Sequence, residues 1–261
     1  MKKYSIVIPV YNEAENLRHD FSTFIEWING FLQRKPELKN EIEVIFAEDG
    51  STDGSYNILK KIQARFECPV KVLHNVDRLG KGGGFRKGFL AAEGSVVILY
   101  DCDMAVSPDQ IPHLIESIEK GYQIVIASRK HKSTRFLNFP TFTRFVYGQL
   151  GYAIAKFLFD FPIQETQCGF KAFKRNSMLP LIKKLDITGW IFDLELILRA
   201  SLNNLSMLEI PVNYRYVKKS RIHLIFDPIK ILYDLFRLRL CVLRNYPVPW
   251  LRFTYKRHRF T

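Results

Sequence analysis

The hydrophobic pattern of the first half of the chain alternates between two periods. Residues 4–10 form a short apolar run, as do 43–47, 70–74, 95–100 and 123–127. Runs of that length suit strands buried on both faces. The segments between them repeat apolar side chains at helical spacing. In 14–33 aromatic residues recur at Phe21, Phe24, Trp27 and Phe31, and in 53–66 Ile58, Leu59, Ile62 and Phe66 share a side. Residues 81–92 predict a helix opened by glycines. Residues 107–119 predict one with Ser107 at the N-cap and Pro108 in the first position. Strand and helix in alternation predict an α/β fold, a mostly parallel sheet flanked by helices on both sides.

Sheets of this kind bind ligands beyond the carboxyl ends of their strands. The residues there are Tyr11-Asn12-Glu13, Glu48-Asp49-Gly50-Ser51, the stretch 75–81, Asp101-Cys102-Asp103 and Ser128-Arg129. Acids and bases thus converge on one edge, as a site for a metal-bound phosphate ester requires. Asp101 and Asp103 follow the most apolar run. Two carboxylates two residues apart at a bend can reach one hard cation, Mg²⁺ or Mn²⁺, and link it to a diphosphate. Alone, such a pair is more often a solvated turn; the strand before it and the Asp49 loop beside it favour the metal. Asp49 is placed to hold a ribose hydroxyl or a base edge, and Asp53 to cap the next helix.

The segment Gly80-Lys81-Gly82-Gly83-Gly84-x-Arg86 lacks the Ser/Thr of a Walker loop and follows the wrong strand for a dinucleotide fingerprint. Two readings of it stand level: a helix start where Lys81 and Arg86 meet an anion, or close helix packing permitted by the glycines. Asp193 and Glu195 open a hydrophobic segment, where buried acids need partners.

Charge changes the picture at the C-terminus. The net charge is +13, of which the eleven Lys/Arg and two Asp of residues 218–261 account for +9. From Asp227-Pro228 onward, Lys230, Asp234, Arg237 and Arg244 fall on one helical stripe, with Ile229, Ile231, Leu232, Leu235, Phe236 and Leu238 over most of the remainder. That pattern predicts an amphipathic helix able to lie in a membrane interface, followed by mixed aromatic and basic residues. Residues 142–161 are a second interfacial candidate. Both helices are also suited to pack on the core or to pair copies in a homo-oligomer. No 18-residue apolar span is present. The tail carries no nucleic-acid-binding motif, so no nucleic acid partner is expected. Cys68, Cys102, Cys168 and Cys241 form no CxxC pair, which argues against structural zinc and for a reducing, cytoplasmic setting. The division expected is a catalytic domain over 1–217 and a basic, membrane-associating segment over 218–261.

Taken in order, Pro9-x-Tyr11-Asn12-Glu13, Glu48-Asp49-Gly50-Ser51-x-Asp53, Lys81-Gly82-Gly83, Asp101-x-Asp103, Ser128-Arg129, Gln167-Cys168-Gly169-Phe170-Lys171 and Phe192-Asp193-x-Glu195 resemble family-2 glycosyltransferases of the GT-A, Rossmann-like fold. Within that family they look like the dolichyl-phosphate glucosyl- and mannosyltransferases, and the glycine loop with the QCGFK and FDxE elements favours the glucosyl branch. The likeness covers roughly residues 4–215. It implies inverting transfer of a hexose, glucose from UDP-glucose, to a polyprenyl (dolichyl) phosphate at the cytoplasmic face of a membrane, by a peripherally associated enzyme using Mg²⁺ or Mn²⁺. It places Pro9, Tyr11, Glu13, Asp49, Lys81, Asp101, Cys102 and Gln167 around the nucleotide sugar, the metal on Asp101 and Asp103, and Asp103, Arg129 and Asp193 in catalysis. Met104-Ala105 stand where mannose synthases carry Leu-Gln, so a third side-chain ligand is not implied. A lipid phosphate is already anionic at neutral pH, with a second pKa of about 6. It needs arginines rather than a strong base: Arg129 first, then Arg135 and Arg144 on the basic, aromatic stretch 130–147. Two other readings are a soluble family-2 transferase acting on a glycan or protein hydroxyl, with Asp193 or Glu195 as base, and a non-catalytic membrane- or RNA-binding protein on a transferase scaffold.

Overall fold

The computed structural model describes residues 2–159, 161–217 and 226–245. In chain order the elements are β1 (Tyr4–Val10), α1 (Ala14–His19), α2 (Phe21–Arg34), β2 (Ile42–Glu48), α3 (Ser55–Ile62), β3 (Val70–His74), α4 (Lys81–Ala91), β4 (Val96–Tyr100), α5 (Ile111–Glu119), β5 (Ile124–Ala127), β6 (Arg135–Phe136), α6 (Phe142–Leu158), β7 (Phe170–Lys174), α7 (Arg175–Lys183), α8 (Phe192–Leu202), β8 (Met207–Ile210), β9 (Asn213–Tyr214) and α9 (Phe226–Asn245). Seven strands form one sheet in the order β3-β2-β1-β4-β7-β5-β8, and β6 pairs with β9 in a small second sheet. The five predicted runs are all strands of the main sheet; β1, β2, β4 and β5 are buried as runs without alternation should be, while β3, at the sheet edge, is half-buried. The predicted mostly parallel sheet is what forms. Among the described strands of this sheet only β7 runs against its neighbours, β4 and β5.

Helix boundaries follow local chemistry. The segment 14–33 is two helices that meet at Asp20, the last cap of α1 and the first of α2. Residues 107–119 open with a 3₁₀ turn at Pro108–Gln110 before α5, and Ser107 caps that turn without a side-chain hydrogen bond. β7 was not expected, because Lys171 and Lys174 give it a polar look. Lys171 is nevertheless fully buried, and its partner explains why (below).

The sheet is covered on both faces. One core packs β1, β2 and β4 against α2, α3 and α5, with Phe21, Phe24, Phe46 and Tyr100 at its centre. The other packs α4, α7, α8 and α9 on the opposite face around Phe85, Phe89, Phe173 and Phe192. Leu235, Leu238 and Val242 of α9 belong to this second core, and α9 also touches α6. The charged stripe of α9 is therefore split: Asp234 is buried beside them, while Lys230 and Arg237 are exposed. On its outer side α9 shows Tyr233, Phe236 and Leu240. Among the described residues no helix is long and apolar enough to cross a membrane.

Candidate active site

The site begins with the register of the one antiparallel strand. Tyr100 of β4 pairs with Phe170 of β7, so the next residue of one, Asp101, meets the previous residue of the other, Gly169. A Cβ at Gly169 would lie 1.8 Å from Asp101 Oδ2, so only glycine leaves room for that carboxylate. This is the physical content of the QCGFK motif. A cavity of about 10 Å³, the size of one water, lies behind Asp101 between Tyr100, Cys168, Gly169 and Tyr214.

After Asp101 the chain turns sharply. The Met104 amide donates to the Asp101 carbonyl (3.2 Å), the Ala105 amide to Asp103 Oδ1 (3.1 Å), and Met104 holds a left-handed φ of 50°. A non-glycine residue in that region is uncommon and clusters at functional sites. Cys102 is buried in the core, so it can meet a donor only through its backbone.

Facing the pair are two lysines and a third acid. Lys81 Nζ lies 2.8 Å and 3.0 Å from the two oxygens of Asp101. Burial works against the Lys81 ammonium, but Asp101, then Asp193 and Asp103, outweigh it and hold its pKa above the ordinary lysine value. Lys171 Nζ donates to Asp193 (2.6 Å) and to the Cys168 carbonyl (2.5 Å). Burial pushes the Asp193 carboxyl up, against the pull of Lys171 and Lys81. Lys81 reaches this network because the first turn of α4 packs tightly on that of α8: a Cβ at Gly82 would lie 2.5 Å from Phe192 Cβ.

The same packing settles the role of the glycine segment. The Leu79 and Gly80 amides donate to Asp49, and the Gly82 amide to the Thr188 carbonyl. Arg86 donates to the Lys183 and Leu185 carbonyls. These amides and this guanidinium are engaged within the chain, and Gly80, Gly82 and Gly83 each stand where a Cβ would clash with a neighbour. Lys81 is the cation the segment brings to the site.

The motifs after β1 and β2 interlock. Asn12, with a φ of 53°, takes a hydrogen bond from the Thr52 amide and gives its own amide to Ser51 Oγ. Asp53 accepts from the Ala14 and Ser55 amides, the first residues of α1 and α3. Glu13 begins α1 beside them, Pro9 lies in β1, and the Tyr11 ring stacks under Arg78 at 4.0 Å. Asp49 is buried and accepts from Asn75, Leu79 and Gly80. A carboxylate has about four lone-pair positions, so Oδ2, which takes one donor here, keeps room for a ligand hydroxyl or ring N–H.

Arg129 follows β5, and its guanidinium forms a two-pronged pair with buried Glu165, at 2.7 and 2.9 Å. Burial alone would raise the Glu165 carboxyl, but Arg129 holds it below the usual range. Arg129 also lies 5.5 Å over the Tyr214 ring, which lines the Asp101 cavity. It is thus near the acids but partly committed. Arg135 is exposed on β6; Arg144 is on α6, and its side chain lies outside the described residues. Gln167 is exposed and its amide donates to Glu165. Glu195 accepts from the Asp186 and Ile187 amides and from Arg199, fully buried. Residues whose roles the sequence did not reveal are Lys171, Glu165, Gly169 and Tyr214. A lysine inside the buried FKAF run was the available sign, since it demands an acid nearby.

Asp101 and Asp103 offer hard oxygen donors, and among the described residues no third His, Cys, Asp or Glu joins them. Two carboxylates with the remaining positions left to phosphate and water suit Mg²⁺ or Mn²⁺.

The family profile described as Glycosyl transferase family 2 matches residues 5–179, two-thirds of the chain and every motif from β1 through β7. The chain belongs to glycosyl transferase family 2. It is a glycosyltransferase, and its α/β sheet is the GT-A fold. The chain is 29% identical over 259 residues to the dolichyl-phosphate beta-glucosyltransferase of Saccharomyces cerevisiae, covering 92% of this chain and 75% of that one. It is 27% identical over 223 residues to glycosyltransferase AglD of Haloferax volcanii, spanning 85% of this chain but 35% of that protein's length. Glucosyl-3-phosphoglycerate synthase from Mycobacterium tuberculosis, solved with Mn²⁺, UDP and product, superposes with a TM-score of 0.59 at 18% identity, over 95% of this chain and 81% of that one. At that identity the likeness is one of fold.

Proposed function

We propose that this family-2 enzyme moves a hexose, glucose from UDP-glucose, to a polyprenyl phosphate, with inversion, as a peripheral protein at the cytoplasmic face of a membrane. One observation carries the choice of a lipid acceptor. An exposed apolar ledge runs directly out of the site. Tyr214, on the Asp101 cavity, packs edge-on to Phe136 and Tyr216; Phe136 neighbours Phe139; and α6 then exposes Phe142, Phe145, Leu150 and Phe157. Phe139, Phe142 and Phe157 are each at least 80% exposed. An apolar patch of this kind marks a surface meant to be covered. A bilayer holding the acceptor covers it, assisted by the basic residues of 218–261, about 1 kcal/mol each near anionic lipid. The name of the yeast relative supports dolichyl phosphate and glucose. The UDP and Mn²⁺ of the mycobacterial structure support this nucleotide and a divalent ion on Asp101 and Asp103.

In this reading Tyr11, Glu13 and Asp49 bound the nucleoside end, while Asp101, Asp103 and Lys81 surround the diphosphate. The cation, when bound, neutralises the charge of the departing diphosphate. The acceptor phosphate supplies its own nucleophilic oxygen, so the chain needs positive charge rather than a base. That charge is assigned to Arg129 beside the acids, to Arg135 on β6 and to Arg144 in the sequence of α6. A hydroxyl acceptor would require a base, yet Glu195 is held by backbone amides and Asp193 is locked on Lys171. Neither acid presents an oxygen to solvent, and the lipid-phosphate reading is favoured for that reason.

The test is to incubate the full chain with a short polyprenyl phosphate, Mn²⁺, and either UDP-[¹⁴C]glucose or GDP-[¹⁴C]mannose. Label is expected in the chloroform phase from UDP-glucose. Label from mannose alone would overturn the sugar; label from neither, with transfer to a soluble hydroxyl acceptor, would overturn the lipid.

A further inference from the structure

Four charges at the heart of the site alternate in sign: Asp101, Lys81, Asp193 and Lys171. Two of them are fixed. Lys171 and Asp193 are both buried, joined at 2.6 Å, and Lys171 is tied also to the Cys168 carbonyl. The other two are reachable from solvent, the Lys81 side chain being 22% and the Asp101 side chain 29% exposed. Lys81 carries its charge on a flexible four-carbon stem. Its ammonium engages both oxygens of Asp101 at once. A divalent cation bound through Asp101 needs at least one of those oxygens. An ammonium and a divalent ion at contact distance on one carboxylate would repel strongly.

We propose that Lys81 is a resident substitute for the divalent cation: it neutralises Asp101 while the donor is absent, and moves from Asp101 to the diphosphate when ion and nucleotide enter together. The inference rests on the donor-site reading above. Without nucleotide, the ion must displace an ammonium that gains no new anion in exchange, so it binds weakly. With a diphosphate present, the ammonium gains a new anion and Asp101 is released. Ion and nucleotide therefore strengthen each other's binding by the same factor.

The experiment measures Mn²⁺ binding to the full chain, from the electron paramagnetic resonance signal of the free ion, with and without UDP. The wild type is expected to bind Mn²⁺ about tenfold more tightly with UDP than without. Lys81→Met and Lys81→Gln are each expected to bind Mn²⁺ alone about tenfold more tightly than the wild type and to lose most of the UDP-linked gain. Lys81→Arg, which keeps the charge, should behave as the wild type. Adding Asp101→Asn to Lys81→Met should abolish the tightening. Circular dichroism melts identify the variants that fold. The inference is overturned if the neutral Lys81 variants bind Mn²⁺ no more tightly than the wild type while the wild type still couples Mn²⁺ to UDP. It is also overturned if the tightening persists in the double variant, since the effect would then be a general loss of positive charge. If the wild type binds no Mn²⁺ even with UDP, the metal-site reading itself fails, and the inference with it.

Discussion

At the end of β2, Asp49 accepts hydrogen bonds from two backbone amides and one asparagine; at the end of β4, Asp101 accepts, among the described residues, from a lysine ammonium alone. In sequence the two acidic turns look alike, each an aspartate one step beyond a buried strand. In the structure their partners differ in kind. Backbone amides cannot leave without the loop unfolding, so Asp49 is first a clamp on the 75–80 segment. An ammonium on a flexible stem can leave, so Asp101 keeps its charge available. Glu195 and Glu209 follow the Asp49 pattern, accepting from the amides of 186–187 and 164–165. The comparison teaches that a strand-end acid points to chemistry when its partners are mobile cations, and to architecture when they are backbone N–H groups.

The largest effect on stability is expected at Asp49. Asp49→Ala leaves buried donors unpaired at about 1–3 kcal/mol each, and urea denaturation should show a loss of about 3 kcal/mol. A loss below about 1 kcal/mol would erase the distinction between the two turns. Gly169→Ala should do the reverse. Its Cβ would collide with Asp101 and force that side chain to turn. Displacement of this order can lower a rate about 100-fold, so sugar transfer should fall by about that factor, with the melting temperature little changed. Full activity in Gly169→Ala would show that the position of Asp101 is unimportant.

Much of the fold was legible because its strands are buried on both faces and read as unbroken apolar runs, each ending near where the hydrophobic run ends. Four strands were hidden, β6, β7, β8 and β9, and the central one, β7, carries a lysine whose counter-ion, Asp193, lies 22 residues away in sequence. Spacing along the chain cannot show such a pair. The acids of the site were visible as strand-end residues. Their division into clamps and open groups was not, because it depends on what the neighbouring loops present to them. The glycine segment resolved for a similar reason. Whether its amides hold phosphate or a neighbouring helix is decided by Thr188 and Phe192, over a hundred residues on and without any mark in the local sequence. The expected division at residue 217 places α9 in a separate segment, yet its inner side completes the second core of the catalytic domain.

The most direct test of the central claim, that the turn after β4 is the donor's charged site, is a calorimetric titration of UDP in the presence of Mn²⁺ into the wild type and into Asp103→Ala. Asp103 accepts from the Ala105 amide, and losing that hydrogen bond should cost about 1 kcal/mol of stability. The account predicts that Asp103→Ala still melts cooperatively, close to the wild type, but binds UDP with Mn²⁺ at least about tenfold more weakly. Unchanged UDP affinity in a folded Asp103→Ala would contradict it.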